Sequence, residues 1–278
     1  MNQAASPEIG KSIVAGGIRT NYLEAGQGAP VVMIHGSGPG VTAYANWRLV
    51  MPKLAERFRV LAPDMVGFGY TERPADASYS MDAWVAHIVG FLDALELPKV
   101  NLVGNSFGGA LSLALATRYP ERVDRLVLMG SVGTRFDLTP GLDAVWGYEP
   151  SIENMRELIS VFAYDQSLMT EQLVRSRFEA STRPGFHESF SAMFPAPRQR
   201  HIDMLATPEE QIRKLDKEVL IVHGREDRVI PLQASMRLFE LIERSQLHVF
   251  GRCGHWTQIE HASRFANLLE DFFLEQQA

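Results

Sequence analysis

Six short apolar runs, each closed by turn residues, set the limits on what this chain can become. They are Pro30–His35 (PVVMIH), Arg59–Ala62, Lys99–Val103, Val123–Met129, Val219–Val222 and Gln246–Phe250. Apolar runs without alternation suit strands covered on both faces. Lys11–Glu24 alternates instead and turns at Gly16-Gly17, which predicts a hairpin. Between the runs lie stretches of helical period. In Met81–Leu97 the residues Met81, Trp84, Val85, Ile88, Phe91, Leu92 and Leu95 recur at steps of three and four, and Pro98 is expected to end the helix. Phe107–Tyr119, closed by Pro120, and Ser263–Leu274 read as helices as well. Strands and helices alternating on this scale imply a mostly parallel sheet flanked by helices, an α/β fold.

The rhythm breaks between Gly133 and Leu205, where no strand-like run occurs. Ile152–Phe162 and Thr170–Ala180 are helical candidates there, among bulky residues such as Trp146, Tyr148 and Phe194. The segment reads as a helical lid (134–205) over the C-terminal edge of the sheet, set into a core made of 1–133 and 206–278. A length of 278 residues accommodates one core with such an insertion. Thr207-Pro208-Glu209-Glu210 has the pattern of a capping box, with Thr207 as N-cap, and is expected to restart the core.

Composition excludes several classes of partner. Net charge is −6 with no long basic run, so nucleic acid finds no electrostatic footprint. An anionic ligand would need a local cation. No apolar run approaches the ~18 residues of a membrane helix, and the first seventeen residues lack the charged and apolar regions of a signal peptide. The single cysteine, Cys253, allows no intrachain disulfide. It reads as a small buried apolar residue rather than a working thiol, and the cytoplasm is the expected compartment.

The run at Lys99–Val103 ends in GNSFGG, Gly104–Gly109. Ligands of open α/β sheets sit beyond the carboxyl ends of strands, and Ser106 falls there, between a strand and a helix. Gly104-Asn105-Ser106-Phe107-Gly108 is the G-x-S-x-G elbow pattern. Its turn is tight enough that a Cβ at either glycine would strike the neighbouring strand or helix. The serine takes a strained backbone, and its hydroxyl stands clear.

A serine hydroxyl needs a base, and the base needs an orienting acid. In this architecture they follow in the order Ser, Asp or Glu, His. Asp227 lies just past the Val219–Val222 run, in HGREDRVIP; the adjacent Glu226 is expected to pair with Arg225 or Arg228. His255 follows the last run in a Gly-flanked loop. Among eight histidines only His255 follows Asp227 with a suitable loop, whereas His35 and His223 read as loop-bracing residues. No helical His-x3-His or cysteine pair supports a metal, and no cofactor is expected. For an oxyanion, one backbone donor is Phe107 N–H. The second falls to Ser37 or Gly38 in the His35-Gly36-Ser37-Gly38-Pro39-Gly40 loop.

HGSGPG, PDMVGFGYT, GNSFGG, GLDAVWGYEPS, FPAPRQR, HGREDRVIP and GHWTQIEH together resemble the meta-cleavage-product hydrolases. These form a branch of the α/β-hydrolase family that breaks a carbon–carbon bond in ring-opened aromatics. The likeness spans about Glu8 to Asp271. It is strongest to hydrolases of 2-hydroxymuconic semialdehyde and 6-alkyl relatives. The resemblance implies Ser106, Asp227 and His255 as the triad, and Asn46, Asn105, Arg177 and Trp256 as the polar pocket for the dienoate end. It implies Leu142, Trp146, Ile202 and Val229 as the apolar half facing the 6-substituent, with Gly38 also at the substrate. By sequence alone Arg177 is one arginine of an amphipathic helix, and the four apolar residues are ordinary core candidates. The implied reaction cleaves C5–C6 of a 2-hydroxy-6-oxohexa-2,4-dienoate, in a homo-oligomer that acts on a small molecule. A carboxylesterase or thioesterase with the same triad stays open, as does a binding protein without turnover. Ser106 excludes relatives whose elbow carries aspartate.

Overall fold

The computed structural model describes residues 6–275. The signal-peptide reading and the outer limits of the expected core therefore fall partly outside the described residues. Eight strands, β1 (Lys11–Ala15), β2 (Ile18–Ala25), β3 (Pro30–Ile34), β4 (Arg59–Pro63), β5 (Val100–Asn105), β6 (Val123–Met129), β7 (Val219–Gly224) and β8 (Ser245–Phe250), form one sheet in the order β1-β2-β4-β3-β5-β6-β7-β8. β1, β2 and β4 pair antiparallel and all other neighbours run parallel. The hairpin turns at Gly16 and Gly17, with φ of 57° and 87°, a left-handed pair that favours glycine. From β3 the chain passes to β4 on one side and then to β5 on the other. That reversal opens a crevice at the C-terminal ends of β3 and β5.

The helices are α1 (Ala43–Trp47), α2 (Met51–Leu54), α3 (Met81–Ala94), α4 (Phe107–Arg118), α5 (Pro140–Trp146), α6 (Ile152–Phe162), α7 (Glu171–Ser181), α8 (Phe186–Met193), α9 (Gln199–Leu205), α10 (Glu209–Ile212), α11 (Leu232–Leu241), α12 (Thr257–Glu260) and α13 (Ala262–Leu274). Five of them, α5 to α9, fill the stretch between β6 and β7 where no strand was expected. The sheet separates two cores by strand alternation. Val32, Ile34, Leu102 and Leu128 pack with Trp84, Phe91 and Phe107 on one face. Val31, Met33, Val103 and Met129 pack with Trp47, Leu54, Phe265 and Leu269 on the other.

Two expectations are corrected. Helix α3 ends at Ala94, not Leu97. Glu96 takes a left-handed backbone (φ 54°), and Leu97 N–H reaches back to the Leu92 carbonyl at 2.9 Å. That bond closes the helix before Pro98 can. The capping box at Thr207 does not form: Pro208 is the N-cap of α10 and no side chain caps it. Thr207 instead donates its N–H to the Gly133 carbonyl, 2.9 Å away, which joins the two ends of the helical stretch.

Candidate active site

The elbow is built as its glycines require. Ser106 sits at φ 53°, ψ −115° between β5 and α4, a strained backbone for a side-chain-bearing residue. A Cβ on Gly104 would lie 2.4 Å from the Gly108 carbonyl oxygen, and one on Gly108 would lie 2.4 Å from the Ile34 oxygen. Only glycine therefore lets α4 start directly against the end of β3. Ile34 is the β-partner of Gly104, so the 36–40 loop leaves β3 beside the serine. Among the described residues, neither Phe107 N–H nor Ser37 N–H has a protein acceptor. Ser37 lines the pocket beside Ser106, and Phe107 follows Ser106 at the start of α4.

Asp227 and His255 meet where β7 and β8 release their loops. His255 Nδ1 lies 2.7 Å from Asp227 Oδ2. The other carboxylate oxygen accepts from Val229 N–H at 2.7 Å and Ile230 N–H at 2.9 Å. Burial alone would raise the Asp227 carboxyl. The facing His255, with help from His223 and the Ile230 N–H, outweighs it and holds the pKa below the usual value. His223 braces this loop, bonded to Ser235 and the Ile230 carbonyl, and burial lowers its pKa. The His255 loop is tied to the helical stretch: the Phe162 carbonyl accepts His255 N–H at 2.7 Å, and Phe162 stacks on Trp256 at 5.0 Å. Gly130 completes the fit, since a Cβ there would press within 3.4 Å of both His255 and Asp227. With Nδ1 committed to Asp227, His255 Nε2 has no protein partner among the described residues, and an imidazole held in this way can pass a proton. Ser106 and His255 line the same pocket without a hydrogen bond between them. Such contacts often tighten only around bound substrate.

The pocket encloses about 850 Å³ of empty space, part of it open to solvent. Ser37, Gly38, Asn46, Asn105, Leu142, Arg177, Val229 and Trp256 line it with Ser106 and His255, and among the described residues no Asp or Glu lines it. Arg177 donates to the Gly40 carbonyl at 2.6 Å, and desolvation lowers its pKa to about 10. Asn46 holds the loop by accepting Gly36 N–H at 3.3 Å, and its Nδ2 is buried with no protein partner among the described residues. Asn105 reaches the Met129 carbonyl at 3.3 Å.

Trp146 and Ile202 are placed differently from expectation: neither lines the pocket. Trp146 stacks on Phe194 at 4.6 Å and donates Nε1–H to Ser37 Oγ at 3.0 Å, so it braces the 36–40 loop. Ile202 is fully enclosed in the core. The apolar wall includes Val145, Met155, Ile159, Phe162 and Leu173 instead. Sequence reasoning missed these, although Met155, Ile159 and Phe162 stand at i, i+4 and i+7 of α6, and Leu173 and Arg177 at i and i+4 of α7. That spacing puts each set on one helix face. Arg48 and Gln258 are further polar lining residues without an earlier signal. Glu226 pairs with Arg225 at 2.7 Å, and Cys253 is buried with its thiol pushed up to about 12 by desolvation.

The model of the alpha/beta hydrolase fold family matches residues 29–262. A 2-hydroxymuconate semialdehyde hydrolase of Pseudomonas sp. strain CF600 is 64% identical over 98% of this chain and 96% of its own. A 2-hydroxy-6-oxo-2,4-heptadienoate hydrolase of Pseudomonas putida F1 is 63% identical, covering 95% of this chain and 96% of its own. The solved meta-cleavage product hydrolase of Pseudomonas fluorescens IP01, a serine-to-alanine mutant complexed with acetates, superposes with a TM-score of 0.95. It shares 64% identity across 96% of this chain and 98% of its own.

Proposed function

This chain belongs to the meta-cleavage-product branch of the α/β-hydrolase fold family, and from that membership we propose how its pocket works. The protein is a hydrolase that cleaves the C5–C6 bond of 2-hydroxy-6-oxohexa-2,4-dienoates, 2-hydroxymuconic semialdehyde and its 6-alkyl analogues. Water enters; 2-hydroxypenta-2,4-dienoate and a short carboxylic acid leave. The observation that carries the reading is one pocket holding Ser106, the Asp227-braced His255 and the Arg177 guanidinium, with no carboxylate on its wall.

A bare carbanion is a poor leaving group, so the substrate must first become an electron sink. Protonation at C5 of the dienol gives a 2-keto form. Oxygen then adds to the C6 carbonyl, and the C5–C6 electrons run into the conjugated keto acid. His255 Nε2 moves the protons while Asp227 fixes the tautomer and steadies the imidazolium. Phe107 and Ser37 N–H groups hold the C6 oxyanion. Ser106 either adds its own oxygen, giving an acyl-enzyme whose ester bond water then hydrolyses to release the acid, or aligns the water that adds directly. Arg177 pairs with the substrate carboxylate, supported by Asn46, Asn105 and Trp256. Leu142 and Val229 flank the 6-substituent. The helices from α5 to α9 serve as the lid, and their removal from bulk water strengthens these polar contacts. We take the working form to be a cytoplasmic homo-oligomer; no helix among the described residues is long and apolar enough to cross a membrane.

A spectrophotometric panel tests the reading. Dienoates with hydrogen, methyl, isopropyl and phenyl at C6 are mixed with the protein beside a neutral p-nitrophenyl ester. Rapid loss of the yellow dienolate absorbance, fastest with the small groups, is expected. Persistent absorbance with the ester consumed would make the protein an esterase; persistence of both would make it a binder.

A further inference from the structure

Glu8 joins two elements of the pocket's polar end. It lies in the arm before β1 and is 8% exposed. Its Oε1 accepts from Thr42 Oγ1 at 3.1 Å; its Oε2 accepts from the Tyr70 hydroxyl at 3.3 Å and pairs with the Arg183 guanidinium. The arm is itself fixed, because Asn21 Nδ2 donates to the Glu8 carbonyl at 2.9 Å. Two of these partners lead to a pocket helix. Thr42 Oγ1 also accepts Ala45 N–H at 3.0 Å and so caps α1, which carries Asn46 to the pocket. Arg183 lies just past the end of α7, which carries Arg177. The 36–40 loop presses against the end of α7: a Cβ on Gly40 would lie 2.6 Å from Ser181 N.

The charges add a second consideration. Among the described residues Arg177 has no carboxylate within ion-pair distance. Glu8 is brought near it, because Thr42, which donates to Glu8, stands two residues past Gly40, whose carbonyl Arg177 binds; yet the Glu8 carboxylate is committed to Arg183. A carboxylate resting on Arg177 would compete with any anionic substrate for the same guanidinium. Opposed to Arg183, Glu8 ties the arm, α1 and α7 together without filling that place.

We propose that Glu8 is a positioning residue. It clamps α1 to the end of α7, and its pairing with Arg183 holds it off Arg177, leaving that guanidinium open to a substrate carboxylate. The proposal rests on the dienoate reading for the identity of that carboxylate, and its test is independent of carbon–carbon cleavage. The probe is 2,4-hexadienoate (sorbate), its Kd measured by calorimetry on wild type, Arg183→Gln, Arg183→Lys, Glu8→Gln and the Glu8→Gln/Arg183→Gln pair, with dienoate kcat and KM alongside. Arg183→Gln frees Glu8 to turn to Arg177. It should weaken sorbate at least about tenfold and raise dienoate KM in proportion, with kcat moving less than about threefold. Arg183→Lys keeps the ion pair and should stay within about threefold of wild type; Glu8→Gln and the pair lose the clamp but leave no carboxylate to compete, so both should bind sorbate at least about threefold more tightly than Arg183→Gln while falling short of wild type. A clamp that is structural only makes the opposite forecast: the pair, with both partners gone, binds no better than Arg183→Gln. That result overturns the proposal, as does sorbate binding equally to every protein or to none. A wild type that fails to turn over any dienoate sinks the proposed function, and the sorbate comparison then decides this point alone.

Discussion

The two ends of the pocket are held by different means. At the serine end, loops at strand termini place Ser106, Asp227 and His255, and backbone does most of the placing. The Ser106 φ of 53°, the glycines that admit only hydrogen, and the paired Val229 and Ile230 N–H groups under Asp227 are features of chain path. At the Arg177 end, α1, α7 and the N-terminal arm meet through side chains: Glu8 to Thr42, Tyr70 and Arg183, and Arg177 to the Gly40 carbonyl. A site built on backbone cannot be altered without disturbing the fold. A site built on side chains can lose a contact and keep its frame. The first end is therefore expected to fail in chemistry or folding, and the second in affinity.

The largest effect should come from Ser106→Ala. It leaves the binding wall intact and is expected to lower kcat by about a thousandfold or more, ~4 kcal/mol of barrier. Single-turnover decay of the dienolate absorbance measures it, and turnover near wild type would remove Ser106 from the chemistry. Next is Gly108→Ala. The added Cβ lies 2.4 Å from the Ile34 oxygen and 2.5 Å from the His35 oxygen, both backbone atoms that cannot swing away. The expected cost is about 3 kcal/mol of stability, read as a lower urea midpoint at unchanged slope. An unshifted midpoint would mean that the elbow is not held by close packing, and the contrast between the two ends would go with it. Arg177→Ala should then show the other behaviour: an unchanged midpoint, and a KM for dienoates raised about thirtyfold, ~2 kcal/mol. Hydrolysis of a neutral ester is the control, and an equal loss there would mean that Arg177 orders the pocket rather than anchors a charge.

The same contrast explains what could be read in advance. Backbone demands leave marks in sequence, because a close approach or a left-handed φ calls for glycine. Gly104, Gly108, the Gly16-Gly17 turn and the strand-end positions of Ser106, Asp227 and His255 were legible for that reason. Where a non-glycine residue takes a left-handed backbone, as Glu96 does, the mark is missing and the end of α3 was misplaced. Side-chain assembly leaves fainter marks. An apolar residue on a lid helix serves equally as wall or filler, so Trp146 and Ile202 were taken for wall while Ile159 and Phe162 were passed over. Two residues that follow each other on a helix, such as Val145 and Trp146, point about 100° apart, and only the tertiary packing says which one faces the ligand. Glu8 carried no mark at all, since its partners are 34, 62 and 175 residues away.

The smallest expected effect is on pH, and it tests how far the backbone-built end depends on neutral histidines. His35 leaves β3 at the 36–40 loop, with Nδ1 to the Gly36 carbonyl at 2.7 Å and Nε2 accepting Met65 N–H at 3.0 Å. His87 is bonded to Thr20 Oγ1 at 2.7 Å. Burial pushes both down to about 4. A folded pKa below the unfolded value of about 6.5 means that the unfolded chain binds the proton first. The stability these residues contribute is thus complete above pH 6.5 and is lost as the pH falls toward 4. Asp64 opposes them. Burial raises its carboxyl to about 6, so it gains stability as the pH falls from 6 toward its unfolded value. Two histidines against one carboxyl leave a net loss of about 1 kcal/mol between pH 7 and pH 6. Urea midpoints at the two pH values measure it, and His87→Gln should remove close to half of the histidine contribution. A midpoint that holds level or rises on acidification would show that Asp64 outweighs both rings. The loop that positions Ser37 would then owe its acid tolerance to a carboxyl 27 residues further along the chain.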